Sequence, residues 1–294
     1  MAIFLASFGF GLITASVLAI AAVGFTLQFA VTDVLNLAYA AVMTAAAYGA
    51  YVVNQAGMSI WVGVVVAIGF GAVLSLALNY LIYTPFQRRR AAAIAMVIVS
   101  LGMTLIIEFG VQAIVGGTNV SYTMSMGATF TAGGLQLTVV QLVTIGLSLA
   151  VMALVHGVLR FTWLGKAMRA TAANRSLARN CGIRTDRVVS LTWIFSGALC
   201  GLAGVMFAIN IGSFGATSTD LFLVLILAAV FLGGPGQPYG AMLRAAVIGL
   251  ATEISAAYIT PSYKYAVAGV LLLLMLAVRP NGLLGQASTQ GGAT

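Results

Sequence analysis

The sequence predicts an all-α, polytopic transmembrane helical bundle of eight or nine spans, and three observations carry that prediction. Hydrophobic residues fill 62% of the 294 positions and charged residues only 6%, with a mean hydropathy of +1.10. A soluble domain is about half apolar and about a quarter charged, so this composition cannot supply a water-facing surface. The apolar residues gather in runs close to the ~20 residues that cross about 30 Å of hydrocarbon. The few bases, finally, are bunched between runs rather than spread along the chain.

In chain order the runs lie near 8–29, 34–53, 60–83, 92–115, 137–159, 188–211, 221–233, 239–258 and 265–278. Glycine and polar residues interrupt the first two, and the seventh is short. The count is therefore eight or nine. No basic residues precede the first run and no cleavage site follows it, so it reads as a span rather than a signal peptide. One transmembrane domain is expected over 1–284, with the small, polar tail 285–294 disordered.

Net charge is +8, and the positions of the bases set the orientation. Arg88, Arg89 and Arg90 form one cluster, Arg160 through Arg187 a second, and Arg279 follows the last run. The spans between them allow all three to share one side, which the positive-inside rule makes the cytoplasm. The uncharged, hydroxyl-rich stretch 116–134 suits an outer loop, and the C-terminus falls in the cytoplasm. Nine spans put the N-terminus outside; eight put it inside.

The second cluster is a segment of about 27 residues, 160–187, that carries Lys166, Arg169, Arg175, Arg179, Arg184 and Arg187 against Asp186 alone. Asn174 can cap a helix through its side-chain oxygen, and Gly182 can close it in the left-handed conformation. The RSLARNC between them makes about two turns, roughly 10 Å. Leu177 and Cys181 then share one face with Ala178 beside them, and Arg175 and Arg179 share another. Such a helix could rest on anionic headgroups, sit in a solvated basic loop, or dock in a groove of another protein.

Motifs beyond this segment bear on that choice. Gly165, Ala167, Arg169 and Ala170 are followed by Ala178 and Gly182-Ile183. SGALCGLAG runs from Ser196 to Gly204, GGPGQPYGA from Gly233 to Ala241, and RPNGLLG from Arg279 to Gly285; VLNLAYA opens the series at Val34. In order and spacing, across nearly the whole chain, these resemble the permeases of the branched-chain amino acid ABC transporter family, and the smaller permease of such systems best. Where that family often continues its early motif with His or Gln and then Gly, this chain has Tyr39 and Ala40.

The resemblance implies an ABC importer permease fold in a bacterial inner membrane. Asn174, Arg175, Leu177, Ala178, Arg179, Cys181 and Gly182 would form the helix that couples to the ATPase. It also implies the partners: a second permease in a heterodimer, two ATPase subunits, an external solute-binding protein, and an amino-acid substrate. Leucine, isoleucine and valine are the expected cargo, with other apolar amino acids, amides, urea or aromatic acids as alternatives.

The remaining polar residues each occupy a distinct setting. Asn36, inside an apolar run, either ties two helices together or marks a broken helix lining a polar pathway. Asp33 suits the headgroup level. Glu108, deep in the fourth run, must face the interior or water, as a protonated structural group or as part of the translocation route. Glu253 has the same two readings, and His156 reads as interfacial. Gly197, Gly201 and Gly204 let another helix approach closely, either within the chain or from a second permease, and most simply within the chain.

Cys181 and Cys200 have no ligand partners at metal spacing, so neither a metal nor a cofactor is expected. The sequence holds no Gly-x-x-x-x-Gly-Lys-Ser/Thr, so the chain is not expected to be an enzyme with its own ATPase site. The rival from another class is an ion-coupled secondary transporter of small amphipathic solutes, using Glu108, Asp33 or Glu253 as coupling groups.

Overall fold

The computed structural model describes residues 2–89, 91–124, 129–132, 135–232, 237–258, 260 and 263–278. The chain begins with α1 (Ala2–Thr32), α2 (Tyr39–Gln55) and α3 (Ile60–Leu78). A π-helical turn, Asn79–Tyr83, carries α3 into α4 (Thr84–Arg88), and α5 (Ala93–Val115) follows. A hairpin of β1 (Thr129–Ala132) and β2 (Leu135–Thr138) leads into α6 (Val139–Phe161). Then come α7 (Trp163–Ala173), α8 (Arg175–Asn180), α9 (Thr185–Ile211), α10 (Asp220–Phe231), α11 (Pro238–Tyr258) and α12 (Lys264–Val278).

Every one of the nine apolar runs forms a helix. Among the described residues six are long and apolar enough to cross a membrane: α1, α3 with its continuation, α5, α6, α9 and α11. The other three, α2, α10 and α12, have 17, 12 and 15 residues. At 1.5 Å per residue α10 covers about 18 Å, little more than half of a bilayer's hydrocarbon. The expected eight or nine spans thus resolve into six full-length helices and three shorter ones.

The bundle is organised around α1 and α9, whose spans are 83% and 72% buried, against 17% for α5 and 22% for α6. The peripheral helices turn apolar side chains outward, as a lipid-facing layer does. Lipid removes the hydrophobic drive between helices, so close contact must come from backbones that approach one another. Gly197 and Gly201 of α9 supply it. A Cβ on Gly197 would strike the carbonyl of Gly71, one on Gly201 that of Ala67, and one on Gly204 that of Met43. The glycine face therefore packs inside the chain, against α3 and α2. On the far side of α1, Gly11 faces Leu250 and Gly249 faces Ala15, which sets α11 antiparallel to α1.

One end of the bundle gathers Arg88, Arg89, Arg160 and the segment through Arg187, and is called here the basic end. Thr32 closes α1 there, its carbonyl accepting from Gln87 Nε2 of α4 at 3.4 Å. At the opposite end the stretch after α5 is fastened down rather than loose. Val120 and Phe214 exchange backbone hydrogen bonds at 2.9 Å, and Tyr122 donates to the Ala47 carbonyl at 2.9 Å. Burial pushes the Tyr122 phenol pKa up, so it remains a donor. The hairpin pairs Thr129 with Thr138 and Ala132 with Leu135. Arg90, 233–236, the 279–285 motif and the tail 285–294 lie outside the described residues.

Candidate functional site

The break between α1 and α2 is the first irregularity in the membrane-spanning part. Asp33 takes a left-handed φ of 54° while its N–H still reaches the Phe29 carbonyl at 2.8 Å, ending α1. Asp is among the few residues that tolerate that region. Asp33 itself is exposed at the basic end. Residues 33–36 then run without helical structure before a short turn into α2.

Asn36, 2% exposed, accepts a hydrogen bond at 2.7 Å from the hydroxyl of Tyr83, the last residue of the π-helical turn. The Tyr83 ring in turn lies 5.0 Å from the Trp193 indole of α9. Isolated π turns are frequent at functional sites, and here one supplies the partner of the broken segment.

Beyond the break a polar seam continues between α1, α2 and α9. Tyr39 donates to the Ala21 carbonyl at 3.1 Å, and Cys200 Sγ donates to the Tyr39 carbonyl at 3.2 Å. Ser196 reaches the Gly24 carbonyl at 2.7 Å, with Gln28 Oε1 at 3.2 Å. Gln28 Nε2 and Trp193 Nε1 are buried without a hydrogen-bond partner among the described residues. Unsatisfied buried donors are rare in native proteins, and two of them flank this seam.

Farther from the basic end, α2 and α10 bring their amino ends together. Thr219, which precedes α10, donates to the Ala40 carbonyl at 2.8 Å and lies 2.5 Å from the Thr44 hydroxyl. Each helix start carries partial positive charge. Asp220, the first residue of α10, faces Glu108 of α5. Glu108 is 5% exposed, and its Oε1 has no hydrogen-bond partner among the described residues. Sequence reading singled out Glu108 but passed over Asp220, which sits at the edge of an apolar run like any interfacial acid.

The basic segment begins with a tight turn. Thr162 caps α7 through the Gly165 N–H at 3.2 Å, and Gly165 lies so close to the Leu159 backbone that no Cβ would fit. Arg169 of α7 donates to the Leu159 carbonyl. The helix α7, not anticipated from sequence, buries Ala167, Met168 and Thr171.

Asn174 Oδ1 then accepts the Leu177 N–H at 2.9 Å and caps α8. Gly182, at φ 84°, closes it: its N–H meets the Arg179 carbonyl and the Ile183 N–H the Ala178 carbonyl, both at 3.0 Å. That bond pair is a Schellman termination. Leu177 is 60% exposed and Cys181 is exposed, so they do share an outward face. Ala178 does not join them: at 4% exposure it turns inward, one residue or 100° around the helix from Leu177.

Arg175 and Arg179 both reach Asp186 Oδ1, at 3.2 and 3.3 Å, which fastens α8 to the first turn of α9. Arg88, Arg175, Arg179 and Arg187 line a groove of about 590 Å³ with Asp186 as its acid.

Three further placements complete the census. Glu253 of α11 accepts from Thr14 at 2.6 Å and pairs with Lys264 at the start of α12. Arg244, overlooked in the sequence, is buried in α11 over Gly240. His156 packs edge-on against Tyr239, ring centroids 5.5 Å apart.

The comparisons with known proteins agree with this architecture. The chain is 26% identical to the LivH permease protein of the high-affinity branched-chain amino acid transport system of Escherichia coli K12, with 95% of each chain covered. It is 27% identical to the galactofuranose transporter permease protein YtfT of the same organism, over 90% of this chain and 77% of that one. A chain of PsaBC from Streptococcus pneumoniae, solved in complex with Fab, shares the fold at a TM-score of 0.54 and 16% identity, covering 92% of this chain and 91% of that one. The profile described as branched-chain amino acid transport system / permease component matches residues 7–276, and the chain belongs to that family of membrane permeases.

Proposed function

We propose that this chain is the membrane-spanning permease subunit of an ATP-driven importer for branched-chain amino acids. In this reading a second permease, two ATPase subunits and an external solute-binding protein complete the machine. The observation that carries it is the family match over 7–276, which includes both the broken α1–α2 region and the α7–α8 segment. In this reading the basic end faces the cytoplasm, as the positive-inside rule requires, and the C-terminus lies on the same side. The outward face of α8, with Leu177 and Cys181, is the handle that enters the ATPase. Asn174 and Gly182 fix its length, and the Asp186 bridges pass a push on α8 to α9. Because α9 packs backbone to backbone on α3 and α2, its movement is transmitted to the Asn36 seam rather than absorbed. Solute would then pass along that seam, with Asn36 and Glu108 among its polar groups.

A second reading, ion-coupled secondary transport, is favoured by one observation: the Glu108 and Asp220 carboxyls face each other in a membrane-spanning region. A pair of this kind can carry a proton or a cation.

Mild-detergent purification of the tagged chain, with co-purifying chains identified by mass, separates the two. A stoichiometric ATPase that is lost in Leu177→Asp supports the importer. A chain that purifies alone and still supports uptake overturns it.

A further inference from the structure

The end opposite the arginines holds a cavity of about 150 Å³ that combines one charge of each sign with apolar walls. Glu253 and Lys264 line it together with Ile13, Val17, Phe222 and Asn210, whose amide donates one N–H to the Met206 carbonyl at 2.7 Å and keeps a second. Phe222 is held by the Phe207 ring at 4.6 Å, so that wall is fixed. We propose that this pocket binds a zwitterionic α-amino acid with an aliphatic side chain. Its ammonium would meet Glu253, its carboxylate Lys264 and Asn210, and its side chain the apolar wall. The choice of an aliphatic amino acid rests on the importer reading; the preference for a zwitterion rests on the pocket alone.

Two arguments converge on this ligand. The Glu253 and Lys264 side chains are only 16% and 22% exposed, and an ion pair so far from water gives little net stabilisation over apolar packing of the same volume. A tie between α11 and α12 alone does not require one. Next, Thr14 and Lys264 both engage Glu253 Oε1. A carboxylate has two oxygens and an ammonium three N–H donors, so each group has bonding capacity beyond the pair.

The test is binding of tritiated L-leucine to the full chain, with its co-purifying permease and ATPase subunits and with any solute-binding protein removed, in lipid nanodiscs without ATP. The expected result is saturable binding that L-valine and L-isoleucine compete. N-acetyl-L-leucine, which lacks the ammonium, and L-leucinol, which lacks the carboxylate, should each compete at least tenfold more weakly. The double variant Glu253→Met with Lys264→Met keeps the volume of the tie and should weaken binding at least tenfold at unchanged Tm. No saturable binding, equal competition by the one-charge analogues, or wild-type affinity in the double variant would each overturn the proposal. The analogue series needs no variant, so a misfolded double variant leaves the test standing. ATP-driven uptake in cells is scored separately: uptake lost with the binding pattern intact counts against the importer reading and not against the pocket.

Discussion

The Tyr83 hydroxyl donates to the side-chain oxygen of Asn36 at 2.7 Å, joining the break after α1 to the π-helical turn after α3. Two departures from regular helix, 47 residues apart in sequence, thus satisfy each other. Each alone would leave a polar group in a membrane-spanning region, where water cannot take the partner's place. Tyr83→Phe removes only the donor. Side-chain hydrogen bonds in membranes are worth about 0.6 kcal/mol on average, so Tm should fall by no more than a few degrees. The proposed pathway role predicts a larger effect on transport, a several-fold loss of uptake. Wild-type uptake in Tyr83→Phe would reduce the bond to a structural tie.

Neighbouring residues on α8 should behave oppositely. Leu177 is outward and Ala178 inward, so Leu177→Asp should leave Tm unchanged while abolishing ATPase association and uptake. Ala178→Asp buries a carboxylate and should lower stability by several kcal/mol, whatever its effect on coupling. Thermal unfolding of the two variants side by side decides this. Equal Tm values would mean that α8 is rotated from the position described.

The cap on α8 gives a graded test. Asn174→Ala removes the acceptor for the Leu177 N–H, at a cost of about 1 kcal/mol to the helix. Uptake should fall partially, and Asn174→Ser or Asn174→Asp should restore it, because either side chain can cap. Failure of both to rescue would assign Asn174 a role other than capping.

Gly201→Leu should prevent folding, since even a Cβ there meets the Ala67 carbonyl of α3. Gly146→Ala is the control: nothing lies within 4 Å of its would-be Cβ, and membrane insertion and Tm should be unchanged. Detergent size-exclusion profiles of the two variants read the difference directly.

Replacing Glu108 by Gln distinguishes the two energy sources. An ATP-driven importer should retain uptake within about threefold, because the amide keeps the shape and part of the hydrogen bonding. An ion-coupled transporter would lose accumulation entirely, since one carboxyl of the pair with Asp220 could no longer change charge. Uptake measured with and without an ionophore gives the answer.

The nine apolar helices, read as eight or nine spans, the basic end and the cap and termination of α8 were legible in the sequence. Each depends on information local to the chain: the length of an apolar run, the clustering of arginines, an Asn eight residues before a Gly. Runs that are apolar on every side carry no record of which face meets which neighbour. For that reason tertiary structure alone decided that the Gly197–Gly204 face packs on α3 and α2, that Ala178 turns inward beside an outward Leu177, and that α2 and α10 begin at the same depth. It alone also set Asp220 against Glu108 and closed the Glu253–Lys264 pair around a cavity. Those relationships are contacts between distant segments, and in lipid they are chosen by close packing and polar satisfaction rather than by hydrophobic pattern.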